Sequence, residues 1–232
     1  MGKFFKRWSW RLIPILVGIL FLYQLWIFGH ILHWKNHDPT TSAFMQSQLN
    51  VLRTNNPKAN LSHQWIAYEQ ISLDMKRAII ASEDGKFMQH TGFDVDALQS
   101  AFKKNLEENK FAVGGSTISQ QLAKNLFLSN KKTIWRKAQE TLITVMLEKI
   151  LSKRRILEIY LNIIEWGNGV FGIEAAANHY YNIPASALTA KQATYLAAMV
   201  TNPRYYDENR KSPHLLKKSE IILKRIHSSK VP

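Results

Sequence analysis

Two adjacent carboxylates, Glu83 and Asp84, open the segment Glu83-Asp84-Gly85-Lys86-Phe87-Met88-Gln89-His90-Thr91-Gly92, just after the apolar run Ala78, Ile79, Ile80 and Ala81. Neighbouring carboxyls beside apolar surface can have their pKa values driven apart or upward, as a general acid or base near neutral pH requires. Taken alone, the pair reads as a solvated helix end. A second segment changes its setting. Gly114 and Gly115 permit a tight turn, and Ser116 and Thr117 can cap the helix that follows. A helix amino terminus attracts anions through its free N–H groups. Thr117, Gln121 and Lys124 fall at i, i+4 and i+7 and share one face, beside Ile118, Leu122 and Leu126 on a face to be buried. A phosphate-bearing ligand suits the polar face, although the lysine does not follow the glycines at P-loop spacing.

A third segment adds charge. Lys131, Lys132, Arg136 and Lys137 crowd the start of a helix, against its dipole, so a further negative charge is expected nearby. A diphosphate would supply it. Glu140 lies i+4 from Arg136 and i+3 from Lys137, and a local salt bridge is its simplest role. Together these segments suggest a site that takes a proton from one group and steadies an anionic leaving group on another, the chemistry of group transfer from a diphosphate. A fourth segment, Lys153 to Asn162, leads into Gly167, Gly169 and Gly172, where turns or close backbone approach are expected. Asn162 suits a loop-fixing hydrogen bond better than a substrate contact.

The elements that must position these residues are mostly helical. Ser72 can cap a helix through Ile80. Asp94 can cap the next, whose apolar positions include Val95 and Leu98. Ile118 to Leu126 mark a third, and Trp135 to Met146, capped by Thr133, a fourth. Ile156 to Ile163 and Ile173 to Tyr180 follow. Thr189 and Gln192 form a capping box before Ala193, and a basic amphipathic helix closes the chain around Leu215–Ile226. A short helix is expected at Ala43–Arg53 and a short extended piece at Trp65–Tyr68. The fold class is all-α.

The 232 residues carry 31 Lys and Arg against 17 Asp and Glu, and no cysteine. Such charge favours an anionic partner, and no nucleic-acid reader motif accompanies it. Lys3, Lys6, Arg7 and Arg11 precede an uncharged run from Leu12 to Trp34 that spans about 35 Å as a helix, enough to cross a bilayer. The run has no small-x-small cleavage site after it, which favours an uncleaved anchor over a signal peptide. The positive charge before it predicts a cytoplasmic amino terminus. The expected organisation is a cytoplasmic basic tail over 1–11, a transmembrane anchor over 12–34, a juxtamembrane connector over 35–63 and one domain over 64–232.

The ordered set of motifs resembles the peptidoglycan glycosyltransferases of the lysozyme-like class, family 51. The matching stretches are Glu-Asp-x-x-Phe-x-x-His-x-Gly at Glu83–Gly92 and Gly-Gly-Ser-Thr-Ile-x-Gln-Gln-x-x-Lys-Asn at Gly114–Asn125. Arg-Lys-x-x-Glu at Arg136–Glu140, Ile-Leu-Glu-x-Tyr-Leu-Asn at Ile156–Asn162 and Gly-Ile-Glu-Ala-Ala-Ala at Gly172–Ala177 complete them. The likeness covers about Trp65 to Arg204. A chain ending at residue 232 leaves no room for a transpeptidase domain, so it is most similar to the monofunctional biosynthetic transglycosylases. Trp65–Tyr68 and Ser82–Asp84 look most like the proteobacterial form. The last family segment usually reads Pro-x-x-Tyr-x-Pro, and Pro203-Arg204-Tyr205-Tyr206-Asp207 departs from it.

The resemblance implies a lysozyme-like domain that polymerises lipid II, with a growing polyprenyl-linked glycan as donor. Glu83 would be the general base, and Lys124, Lys132 and Arg136 would hold the diphosphate. Glu140 would be the second acidic residue, facing the donor directly or through a divalent cation, magnesium or manganese. Ser116, Thr117 and Gln121 would position the donor, with Asp84, Phe87, His90 and Asn125 among the residues of the substrate site. The implied place is the cell inner membrane, with the domain in the periplasm and cell-wall synthesis and division proteins as candidate partners. The rival readings are a lysozyme-like lytic enzyme, which would not need the Lys124 and Arg136 cluster, and a non-catalytic division scaffold.

Overall fold

The computed structural model describes residues 2–107, 115–129 and 133–232. Among these, helices dominate: α1 (Gly2–His33), α2 (Ala43–Asn55), α3 (Leu73–Glu83), α4 (Val95–Glu107), α5 (Ile118–Phe127), α6 (Ile134–Ile150), α7 (Lys153–Ile163), α8 (Ile173–Tyr181), α9 (Ala190–Met199), α10 (Pro203–Glu208) and α11 (Pro213–Arg225). Local chemistry sets their starts. The side chains of Ser42, Ser72, Thr117, Thr133 and Ser152 each accept a backbone N–H three residues on, relieving donors that a helix start leaves unpaired. Helix α3 continues past Ile80 to Glu83, and the chain turns at Asp84 (φ −160°, ψ 71°).

Three very short strands, β1 (Ser62–His63), β2 (Glu165–Gly167) and β3 (Val170–Phe171), form a sheet in the order β1-β3-β2. Strand β1 is parallel to β3, and β2 antiparallel to it with an irregularity between Glu165 and Gly167. The extended piece expected at Trp65–Tyr68 is not a strand. The Asn162 side chain takes both the N–H and the carbonyl of Ile66, and the Tyr68 N–H donates to Glu158. Side chains of α7 thus satisfy the backbone there, leaving no ladder to form. Gly172 (φ +79°) lies against the carbonyl of Asn162, where an added Cβ would stand 2.7 Å from that oxygen, so the backbone requires glycine.

The core gathers around α7, whose Ile156, Leu157, Ile159, Tyr160, Leu161 and Ile163 are buried, with Trp166, Phe87 and Phe171 the other large fully buried side chains. Helix α9 packs between α3 and α11, α5 packs on α6 and α7, and α2 lies across α5. Helix α1 includes Ile13–His33, long and apolar enough to cross a membrane. Its apolar side chains from Ile13 to Leu22 are largely exposed, while Ile27 and Ile31 are buried against the domain.

Candidate active site

Glu83 ends α3, and its carboxylate faces α5. Gln121 Nε2 donates to Glu83 Oε2 at 3.0 Å, and Ser82 Oγ lies 2.8 Å from Oε1. The orientation of the Gln121 amide is dictated from behind, because the Tyr160 hydroxyl donates to its carbonyl at 2.8 Å. Full burial, and then the charges of Glu83 and Asp84, hold the Tyr160 hydroxyl well above its ordinary pKa, so it stays a donor. The opposite side of Glu83 faces α11, with Lys218 Nζ 3.6 Å from Oε1.

Asp84 does different work. Its carboxylate is almost wholly buried, accepts the Ile118 N–H at 3.0 Å and meets His90 Nε2 at 2.9 Å. The Gly92 N–H donates to His90 Nδ1, which leaves Nε2 as the donor to Asp84. Burial raises the Asp84 pKa, opposed by His90 and by the Ile118 N–H. Asp84 therefore ties the end of α3 to the start of α5. Thr117 reinforces the tie, since its hydroxyl donates to the Gly92 carbonyl at 2.6 Å. Gly92 (φ +91°) packs where a Cβ would stand 2.8 Å from Thr144 Cγ2. Phe87 is fully buried, with Lys153 Nζ 4.4 Å above its ring.

Between α5 and α6 opens a cavity of about 390 Å³, lined by Ser116, Gln120, Gln121, Lys124, Arg136, Lys137 and Glu140. Two smaller hollows adjoin it. One, of about 150 Å³, shares Ser116 and reaches Glu83 and Asp84. The other, of about 190 Å³, shares Gln121 and Lys124 and reaches Asn125, Glu165 and Thr201. A cleft thus runs along α5 with the Glu83 carboxylate at one part and a cationic basin at another.

The basin holds three cations against one carboxylate. Arg136 Nη1 donates to Glu140 Oε2 at 2.5 Å, and Lys137 Nζ pairs with Glu140 Oε1. Lys124 is pushed below its ordinary pKa by burial and then by Arg136 and Lys137, while Glu140 and Glu83 oppose the shift. Arg136 Nε is buried with no acceptor among the described residues. An unpaired guanidinium N–H beside a depressed lysine marks a basin still short of negative charge. Among the described residues, the basin does not fit a divalent cation held by the protein alone. Such ions take six or more oxygen ligands, whereas Glu140 brings one carboxylate already engaged by two cations.

The structure brings Glu83, Asp84, Ser116, Thr117, Gln121, Lys124, Asn125, Arg136 and Glu140 onto this cleft. Phe87 and His90 lie behind it, and Lys132 with Gly114 falls outside the described residues. Lys218 and Tyr160 join the set, though neither was a candidate from the sequence. A tyrosine on the apolar face of α7 signals a hydroxyl that must find a partner, and Lys218 belongs to the basic closing helix. Their approach to Glu83 depends on tertiary packing that no local pattern states.

The transglycosylase family model matches residues 49–227 of the chain. Among curated proteins, the biosynthetic peptidoglycan transglycosylase of Nitrosomonas eutropha is 60% identical over 98% of this chain and 93% of its own length. That of Nitrosospira multiformis is 60% identical over 99% of this chain and 100% of its own, and that of Laribacter hongkongensis 57% identical over 97% and 99%. With a matched domain over most of its length and relatives this similar from end to end, the chain belongs to the transglycosylase family.

Proposed function

We propose that this protein is a peptidoglycan glycosyltransferase that polymerises lipid II into β-1,4-linked glycan strands. The observation that carries the reading is the placement of a Glu83 carboxylate and the Lys124 and Arg136 cations along one cleft on α5. Glu83 removes the proton from the 4-hydroxyl of the acceptor GlcNAc. That oxygen forms a bond to C1 of the donor MurNAc from the opposite face, with inversion. The bond from C1 to the phosphate oxygen breaks, and its electron pair leaves on polyprenyl diphosphate. Lys124 and Arg136, with Lys132, stabilise that developing charge, which is worth most where water is excluded. Glu140 keeps Arg136 and Lys137 extended into the basin and itself faces the donor. Gln121 and Ser116 line the path between the two ends, while Asp84, His90, Phe87 and Thr117 hold the loop and helix start that present them.

A lytic enzyme needs a protonated acid at the glycosidic oxygen and no home for a diphosphate, and the cationic basin has no task in that reaction. The relatives' printed names, biosynthetic peptidoglycan transglycosylase, agree with synthesis. Helix α1 would anchor the chain in the inner membrane with its amino terminus in the cytoplasm, keeping the periplasmic domain beside a substrate that never leaves the bilayer and raising its effective concentration. The test is polymerisation of lipid II by the purified full chain. Glu83→Gln should lower the rate on the order of 10²- to 10⁴-fold with an unchanged melting temperature. Full activity in that variant, or release of fragments from mature glycan without use of lipid II, would overturn the reading.

A further inference from the structure

Gln24 is the one amide side chain in the apolar stretch from Ile13 to Gly29. It does not face lipid. Its Nε2 donates at 2.6 Å to Oε1 of Gln139 on α6, while its own Oε1 is buried with no partner among the described residues, and Gln139 is itself buried. Ile27 and Ile31, three and seven residues on, share the face of Gln24 and are buried, while Leu25, Phe28 and Leu32 are exposed. One stripe of α1 is thus docked on the domain and the others face away from it.

Helix α1 and the residues just after it touch both helices that carry the cleft's basin. Gln139 lies three residues from Arg136 and next to Glu140 on α6. Trp26 and Trp34 pack on Phe127, with ring centres 6.1 and 5.3 Å apart, and Phe127 ends α5, one turn beyond Lys124. Arg155 of α7 donates to the carbonyl oxygens of Trp34 and His37 and to Asp38, at 2.6 to 2.8 Å. A helix otherwise explained as a tether, together with the turn that follows it, is strapped across α5, α6 and α7. The Gln24 to Gln139 bond meets α6 next to Glu140 and one turn from Arg136.

In an apolar setting an amide pair matters chiefly for register. Apolar contacts permit α1 to slide or rotate on α6, whereas the pair favours one alignment, since any other breaks the bond from the Gln24 N–H to the Gln139 carbonyl and leaves both buried. We infer that α1 braces the donor site from behind and that Gln24 is a positioning residue, acting through Gln139 to set the distance from Arg136 and Glu140 on α6 to Lys124 on α5. This rests on the reading of the basin as the diphosphate site.

The test compares the full-length protein with Gln24→Leu, Gln139→Leu and the double variant in detergent micelles. Two quantities are read: calorimetric Kd for inorganic diphosphate, and kcat on lipid II. Positioning predicts a Kd raised about five- to tenfold and a kcat lowered about tenfold in all three proteins. The double variant decides against a merely structural role, because it leaves no orphaned amide and keeps an apolar contact. Recovery of both quantities in it would overturn the inference, as would wild-type Kd in Gln24→Leu or a lowered kcat with Kd unmoved. The calorimetric arm needs no turnover. A wild-type protein that binds diphosphate yet does not polymerise lipid II would sink the functional reading and leave this one open to its own result.

Discussion

At the scale of single residues, the site is a set of groups whose states are set by their neighbours. Lys124 shows this most directly. Burial and the adjacent cations lower its pKa below the ordinary 10.5. As pH rises toward that lowered value the free enzyme loses the ammonium, while a bound diphosphate favours keeping it. Donor affinity should therefore fall on the alkaline side earlier than a solvent-exposed lysine would allow. Lys124→Arg removes that titration, because guanidinium stays charged. The expected result is an alkaline limb of kcat/KM moved to higher pH, together with a rate lowered about tenfold by the changed geometry. A limb at the same pH in both proteins would reject Lys124 as its source. Tyr160 makes a second case. Without its hydroxyl, nothing fixes which end of the Gln121 amide faces Glu83, and the carbonyl is free to turn toward the carboxylate. Tyr160→Phe should cost about 1–3 kcal/mol of transition-state stabilisation, read as a roughly 5- to 150-fold fall in kcat with lipid II.

At the scale of elements, the cleft exists because α3 ends where α5 begins. Asp84 joins them, and removing it orphans the Ile118 N–H and the His90 Nε2–H together. Asp84→Ala should destabilise the fold by at least about 2 kcal/mol, lowering the melting temperature by roughly 4–8 °C. Asp84→Asn should fall between, since its carbonyl can still serve Ile118 while its NH₂ meets the donor side of His90. Differential scanning calorimetry of the three proteins would rank them, and an asparagine variant less stable than the alanine one would contradict this bonding scheme. The helices themselves were legible from the sequence, because caps such as Thr117 and Thr133 and apolar positions at helical spacing are local signals. The sheet was not, as strands of two and three residues are too short to show alternation. The cleft was half legible. Residues on one helix, such as Gln121 and Lys124, declare a shared face. Lys218 reaches Glu83 only because α9 brings α11 against α3, and the role of Asp84 appears only once the Ile118 N–H stands before it.

At the scale of the whole molecule, the charges on α6 decide how deep α1 sits. Helix α1 has 32 residues, about 48 Å at 1.5 Å each, against a hydrocarbon core of about 30 Å. If Leu12 to Trp34 filled that core, Gln24 would lie near its middle, and Gln139 with the adjoining Glu140 and Arg136 would lie there too. Ionised groups at that depth are costly, whereas basic side chains at a helix end can reach the interface along their own stems. With the proposed orientation, the lower-energy register would sink α1 toward the cytoplasm. Trp26 and Trp34 then stand at the outer interface, where such side chains favour the mixed environment. The outward side chains of α6, Ile134, Trp135, Leu142 and Val145, are exposed, and this register would lay them on the outer headgroup boundary beside the proposed diphosphate basin. The absence of cysteine makes the depth measurable. Single cysteines at Ile15, Leu22, Phe28 and Leu32, all exposed positions, would be labelled in proteoliposomes with a membrane-impermeant maleimide. Phe28→Cys and Leu32→Cys should react from the domain side, and Ile15→Cys and Leu22→Cys should be protected from both. Protection extending to Leu32→Cys would place the span at Leu12 to Trp34 after all, and would require the α6 charges to be held within the bilayer by one another.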